Sequence, residues 1–72
     1  MKTISKPVSV ENLSSGDKFL MPDRLGDVCL HIVTGVTFGN PCLVEGVYYK
    51  SGSEHPFTIR SLNTDIIHII TF

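Results

Sequence analysis

The feature that most constrains this chain is a pair of long runs dominated by β-branched and aromatic residues, Val28–Phe38 and Cys42–Lys50, separated only by Gly39-Asn40-Pro41. Two such runs around a Gly-Asn pair form a β-hairpin signal, because both residues tolerate the positive φ that a two-residue turn requires. If residues 39 and 40 make the turn, opposing residue numbers sum to 79. Val36 then faces Leu43, Ile32 faces Val47 and Leu30 faces Tyr49, on a face that reads as core apart from Thr34 opposite Glu45. The other face carries Cys29, His31, Val33, Gly35 and Thr37 against Lys50, Tyr48, Gly46, Val44 and Cys42.

The flanking sequence repeats this grammar. Short apolar or alternating segments, 7–10, 18–21, 56–60 and 65–72, are bounded by Gly, Pro, Asn, Asp and Ser, and helical periodicity is weak throughout. Between the first two, Leu13-Ser14-Ser15-Gly16-Asp17 is turn chemistry: Gly16 is free to take positive φ and Asp17 is able to bond nearby backbone. Ser51-Gly52-Ser53 reads as a flexible hairpin tip, and Ser61–Thr64 as one 3₁₀-like turn. The pattern predicts an all-β chain. At 72 residues it has room for a single small domain, with little stability to spare.

The arrangement Val8-x-Val10-x-x-Leu13-x-x-Gly16-Asp17-x-Phe19, followed by a central hairpin, a short strand, a brief turn and an apolar terminal strand, resembles the small SH3-like barrels. In particular it is similar to short accessory proteins encoded by bacteriophages and their bacterial hosts. That resemblance implies a five-stranded SH3-like small barrel over residues 1–72. It also implies a protein that binds a host protein, to inhibit or redirect it, in the host cytoplasm. The Tyr and Trp cluster of proline-binding SH3 domains and the basic loop of ribosomal barrels are both missing.

Composition narrows function by exclusion. Six basic and seven acidic side chains give a formal charge of -1 and are scattered along the chain, so the cluster of cations that neutralises phosphates in nucleic-acid binding is missing. A nucleic-acid-binding barrel remains the alternative, using Tyr48, Tyr49, Phe38, Lys18, Lys50 and Arg60 for stacking and a few charge contacts. No apolar run reaches the ~20 residues that span a bilayer, and no apolar stretch follows the basic N-terminus as a signal peptide requires. The expected location is therefore cytoplasmic, with Cys29 and Cys42 as free thiols too far apart along the hairpin to bond.

The candidate chemistry is sparse. Cys29, His31, Cys42, His55 and His68 fit no metal-ligand spacing, no nucleophile elbow is present, and no Gly-rich loop precedes a helix, so neither enzyme activity nor a metal or other cofactor is expected. Two surfaces stand out. Cross-strand His31 and Tyr48 with Lys50, beside Gly35 and Gly46, are expected to make a shallow aromatic patch for a protein partner. Ile66, His68, Ile70 and Phe72 give the last strand a second apolar face, which is expected to pair with a second copy in a homodimer.

Overall fold

In the computed structural model, which describes residues 4–71, six antiparallel strands form one sheet. They are β1 (Ile4–Ser9), β2 (Lys18–Pro22), β3 (Val28–Thr37), β4 (Cys42–Lys50), β5 (Ser53–Ser61) and β6 (Ile66–Thr71), with a 3₁₀ turn at Val10–Asn12. The sheet order is β1-β6-β2-β3-β4-β5. The all-β expectation holds. The strand count does not: there are six strands instead of five, and the sheet stays open, because β1 and β5 form its two edges and do not pair. Each edge strand contains a proline, Pro7 and Pro56. Proline is tolerated at an edge because its missing donor leaves no ladder bond unmade, and it interrupts a row of groups that would otherwise invite another strand.

The central hairpin follows the expected register over half its length. Leu30 pairs with Tyr49, His31 with Tyr48, Ile32 with Val47 and Val33 with Gly46. A bulge at Thr34 then shifts the ladder by one, so Val36 faces Val44 instead of Leu43. The Thr34 hydroxyl donates to the Glu45 carbonyl at 3.3 Å. Because side chains alternate across a strand, one extra residue moves Val36 onto the same face as Val33. The connection is accordingly longer than the expected Gly39–Asn40 turn, running from Phe38 to Pro41 with a cis Asn40–Pro41 peptide. The two-residue turn lies instead at Ser51-Gly52, where both residues have positive φ (53° and 77°) and Lys50 pairs directly with Ser53. That combination is the twist-compatible hairpin turn, and it lets β5 begin three residues earlier than the sequence pattern suggests.

The inner face is the reverse of the expected one. Val10, Leu13, Phe19, Val33, Cys42 and Val44 form the buried core, with Val8, Met21, Val36, Phe57, Ile59, Ile67 and Ile69 packed around it. Cys29 and His31 are buried on the same side. Leu30, Ile32, Leu43, Val47 and Tyr49, read from the sequence as core, lie on the outer face, Tyr49 exposed and the other four half-buried. The loop after β1 decides this. Val10 and Glu11 donate to the carbonyls of Asp65 and Asn63 at 2.9 and 3.3 Å, which draws Val10 and Leu13 over the inner face. The following turn behaves as its residues imply: Gly16 has φ +97°, and the Asp17 carboxylate accepts the Ser14 N–H at 2.8 Å. Gly16 and Val33 backbone groups then lock this turn onto β3. The expected single turn lies one residue later, at residues 62–65, where the Asp65 N–H donates to the Leu62 carbonyl and the Asp65 carboxylate accepts the Leu62 N–H, each at 3.0 Å.

Candidate functional site

Four neighbouring strands place one ring each in the same cross-strand row. Phe19 is opposite His31, His31 opposite Tyr48, and Tyr48 opposite His55. Their centroids are 5.2, 5.1 and 5.2 Å apart and successive planes are inclined by only 20–26°, so the rings form a stacked ladder from β2 to β5. Such spacing is that of favourable offset stacking. Phe57, two residues beyond His55 and so on the same face, meets His31 and Phe19 edge-on, at 4.9 and 5.9 Å. His31 is only 2% exposed. Its Nδ1 lies 2.9 Å from the Cys29 carbonyl, and since a carbonyl only accepts, Nδ1 carries the proton. In the neutral ring the lone pair is therefore on Nε2.

His31 and Tyr48 form the floor of a groove of about 710 Å³ on the inner face. One wall is the end of β2 and its turn, Met21 to Arg24, and the other is β5 at Pro56, Phe57 and Thr58. The turn owes its shape to Asp23. One carboxylate oxygen accepts the N–H groups of Leu25 and Asp27 at 2.9 and 3.0 Å, and the other accepts from the Lys50 ammonium. Lys50 also reaches Asp27, at 3.1 Å. The ammonium beside Asp23 holds that carboxyl below its ordinary value, and the two carboxylates push Lys50 up to about 12. Among the described residues no group of three His, Cys, Asp or Glu side chains could hold a metal ion.

The structure brings together the three residues expected to meet a partner, though not as expected. His31 and Tyr48 are cross-strand neighbours, but the face they share is the core side, with His31 buried and Tyr48 half-buried. Lys50 is committed to Asp23 and Asp27. Gly46 does permit a close approach, but by this chain: a Cβ there would lie 2.7 Å from the Phe57 ring and would also meet the Ile32 carbonyl. The groove residues that sequence reasoning missed include Asp23, Arg24, Phe57 and Thr58. The signal for Phe57 was its place opposite Gly46, since an aromatic often fills the space that a cross-strand glycine leaves.

The strand expected to pair with a second copy is not an edge. β6 pairs with β1 along its whole length and with β2 at Ile69 and Ile70. Its two faces divide as anticipated, with Ile67 and Ile69 packed on the core, Ile66 and His68 exposed and Ile70 half-buried on the outer side. Phe72 lies outside the described residues. The cations and aromatics of the nucleic-acid alternative are dispersed. Tyr48 and Lys50 belong to the inner face, Lys18, Tyr49 and Arg60 to the outer, and Phe38 to the hairpin end at 68% exposure.

The outer face carries the second candidate surface. One cross-strand row reads Ile70, Lys18, Ile32, Val47, Pro56, and the next reads Leu20, Leu30, Tyr49, Glu54. At about 4.8 Å per strand the longer row spans roughly 19 Å. Leu20 is 57% exposed and Tyr49 42%, and no element of the described chain covers them. The Tyr49 hydroxyl donates to Glu54 at 3.0 Å, and that carboxylate raises its pKa above the usual phenol value. No helix among the described residues is long and apolar enough to cross a membrane. No family model matches the chain, and neither a curated protein nor a solved structure matches it.

Proposed function

We propose that this protein is a non-enzymatic protein-binding module that docks its partner on the outer face of the sheet. The observation that carries the reading is the pair of adjacent cross-strand rows in which Leu20, Leu30, Ile32, Val47 and Tyr49 form a continuous apolar surface, with Ile70 on the far side of Lys18. Burial of a large apolar side chain contributes about 1.5–3 kcal/mol, so a handful of these offsets the cost of association. Lys18 within the patch and Glu54 at its margin supply the polar contacts that fix orientation. The prolines in β1 and β5 favour this face over the sheet edges as the contact surface.

The SH3-like likeness belongs to the same proposal: the six-stranded open sheet is an SH3-like barrel with its seam unclosed, and the partner is a host protein that a phage-type accessory factor inhibits or redirects. The dispersal of Tyr48, Tyr49, Phe38, Lys18, Lys50 and Arg60 over two faces and a loop weighs against a stacking track for nucleic acid.

The test compares immobilised wild type with Leu20→Lys in a bacterial lysate, with and without nuclease. Expected is a defined protein held by wild type, insensitive to nuclease and lost from the variant. Capture that vanishes with nuclease would favour the nucleic-acid reading. Light scattering that shows a wild-type dimer broken by Leu20→Lys would assign the face to a second copy.

A further inference from the structure

β5 has β4 on one side and no strand on the other. The two-residue turn at Ser51-Gly52 makes Lys50 and Ser53 a hydrogen-bonded pair, and the ladder runs from there to Cys42 and Ser61 without a shift. Bonded and non-bonded pairs alternate along such a ladder. The odd-numbered residues of β5 therefore bond β4, while Glu54, Pro56, Thr58 and Arg60 aim their backbone groups at the open edge. Pro56 withholds a donor from that edge and none from β4. β1 has the same phase: the Val10 N–H bonds the Asp65 carbonyl directly opposite, which leaves Ser5, Pro7 and Ser9 as its outward residues. Proline thus separates the outward donors of β1. On β5, Thr58 and Arg60 remain as two in succession, both exposed, and no group of the described chain bonds their N–H or C=O.

We propose that this half of the β5 edge takes up an extended segment of another protein as an added antiparallel strand, with an acidic residue of that segment opposite Arg60. Thr58 and Arg60 each offer one donor and one acceptor, so a stretch of three residues in the segment completes four backbone bonds. Strand addition of this kind takes its affinity from the backbone and its selectivity from the side chains set opposite. Here the selecting side chain is Arg60. It lies across from Leu43 and forms no salt bridge among the described residues, even with Glu45, its diagonal neighbour on β4. An acidic side chain directly opposite on the added strand is a favourable cross-strand pair. A second copy of this chain does not meet these terms. Every two-fold pairing of β5 with itself that engages both Thr58 and Arg60 has one of two faults: the two Arg60 side chains become neighbours, or Pro56 enters the ladder, where its ring and missing donor break it.

Amide hydrogen exchange of the full chain, read by NMR, tests this residue by residue. The probes are the blocked peptide Ser-Thr-Val-Glu-Val-Thr-Ser and the same peptide with lysine in place of glutamate. In the free chain the Thr58 and Arg60 amides should exchange fast and those of Phe57 and Ile59 slowly. The glutamate peptide should slow Thr58 and Arg60 saturably, and the lysine peptide should bind about fivefold more weakly, the difference that an exposed ion pair makes. Arg60→Glu should reverse that preference. Thr58→Pro removes an outward donor as Pro56 already does, and should abolish binding while the slow Phe57 and Ile59 amides report an intact ladder. Leu20→Lys, on the outer face, should leave the peptide response unchanged, so the two surfaces are judged separately. Slow exchange at Thr58 and Arg60 in the free chain, no slowing at millimolar glutamate peptide, or a peptide preference that Arg60→Glu leaves unaltered would overturn the proposal.

Discussion

Gly46→Ala tests the inner-face packing most directly. Gly46 is buried in β4 opposite Phe57, and a Cβ built there lies 2.7 and 2.9 Å from two ring carbons, as well as against the Ile32 carbonyl. The closest of these contacts is with the Ile32 carbonyl, which is backbone and cannot swing aside, so β3 and β4 must part there while the Phe57 ring shifts, and with it the edge-on contacts to His31 and Phe19. Overpacking of this kind costs about 1–3 kcal/mol, offset in part by the roughly 0.4–1 kcal/mol gained when alanine restricts the unfolded chain. The net loss is about 1–2 kcal/mol in a domain whose whole stability, at 72 residues, is about 4–11 kcal/mol. For this size that lowers the melting temperature by about 4–16 °C. Urea and thermal unfolding by circular dichroism measure it. Gly35→Ala is the internal control, since a Cβ there meets nothing within 4 Å; it should be neutral or slightly stabilising. In a Phe57→Leu background the cost of Gly46→Ala should shrink, leaving the part owed to the Ile32 carbonyl. A Gly46→Ala protein as stable as wild type would refute the reasoning, because it would mean that neither the Ile32 carbonyl nor Phe57 closes over Gly46.

Three further outcomes are expected. Asp23 has a lowered pKa, so the stability it contributes is fully present above its ordinary value of 3.8 and is lost as pH falls through the lower folded value; Lys50, raised to about 12, keeps its contribution up to 10.5 and loses it above. Wild type should therefore lose its advantage over Asp23→Asn below about pH 4 in urea titrations, and a constant difference down to pH 2 would contradict the clamp. Cys29 and Cys42, 6% and 1% exposed, should react with a thiol reagent only at the rate of unfolding, and a fast native phase would place one of them outside the core. Generic single- or double-stranded oligonucleotides should show no binding at physiological salt, as a net charge of -1 implies; micromolar affinity that falls steeply with added salt would restore the nucleic-acid reading.

Local chemistry settled a definite share of this protein. The strand segments and the Gly16-Asp17 turn are dictated by residues close in sequence, because β-branched runs extend and glycine supplies positive φ, whereas Ile32 meets Val47 only because the Thr34 bulge corrects the register that the Phe38–Pro41 connection sets one residue off. The same pairing already placed His31 beside Tyr48. What the residues could not specify locally was which side of the hairpin faces inward. Both sides are apolar, and by hydropathy alone Leu30, Ile32, Val47 and Tyr49 make the better core than a face that holds histidine, glycine and two cysteines. The choice came from distant parts of the chain. The backbone bonds from Val10 and Glu11 to the 63–65 turn draw Val10 and Leu13 over the side of Val33 and Val44, and the Thr34 bulge turns Val36 to join them. The space enclosed there is narrow, which suits Gly46, Cys29 and Cys42 and allows Phe57 to reach the ladder of rings. Burial rewards whichever face another part of the chain covers, and that cover is a property of the tertiary structure.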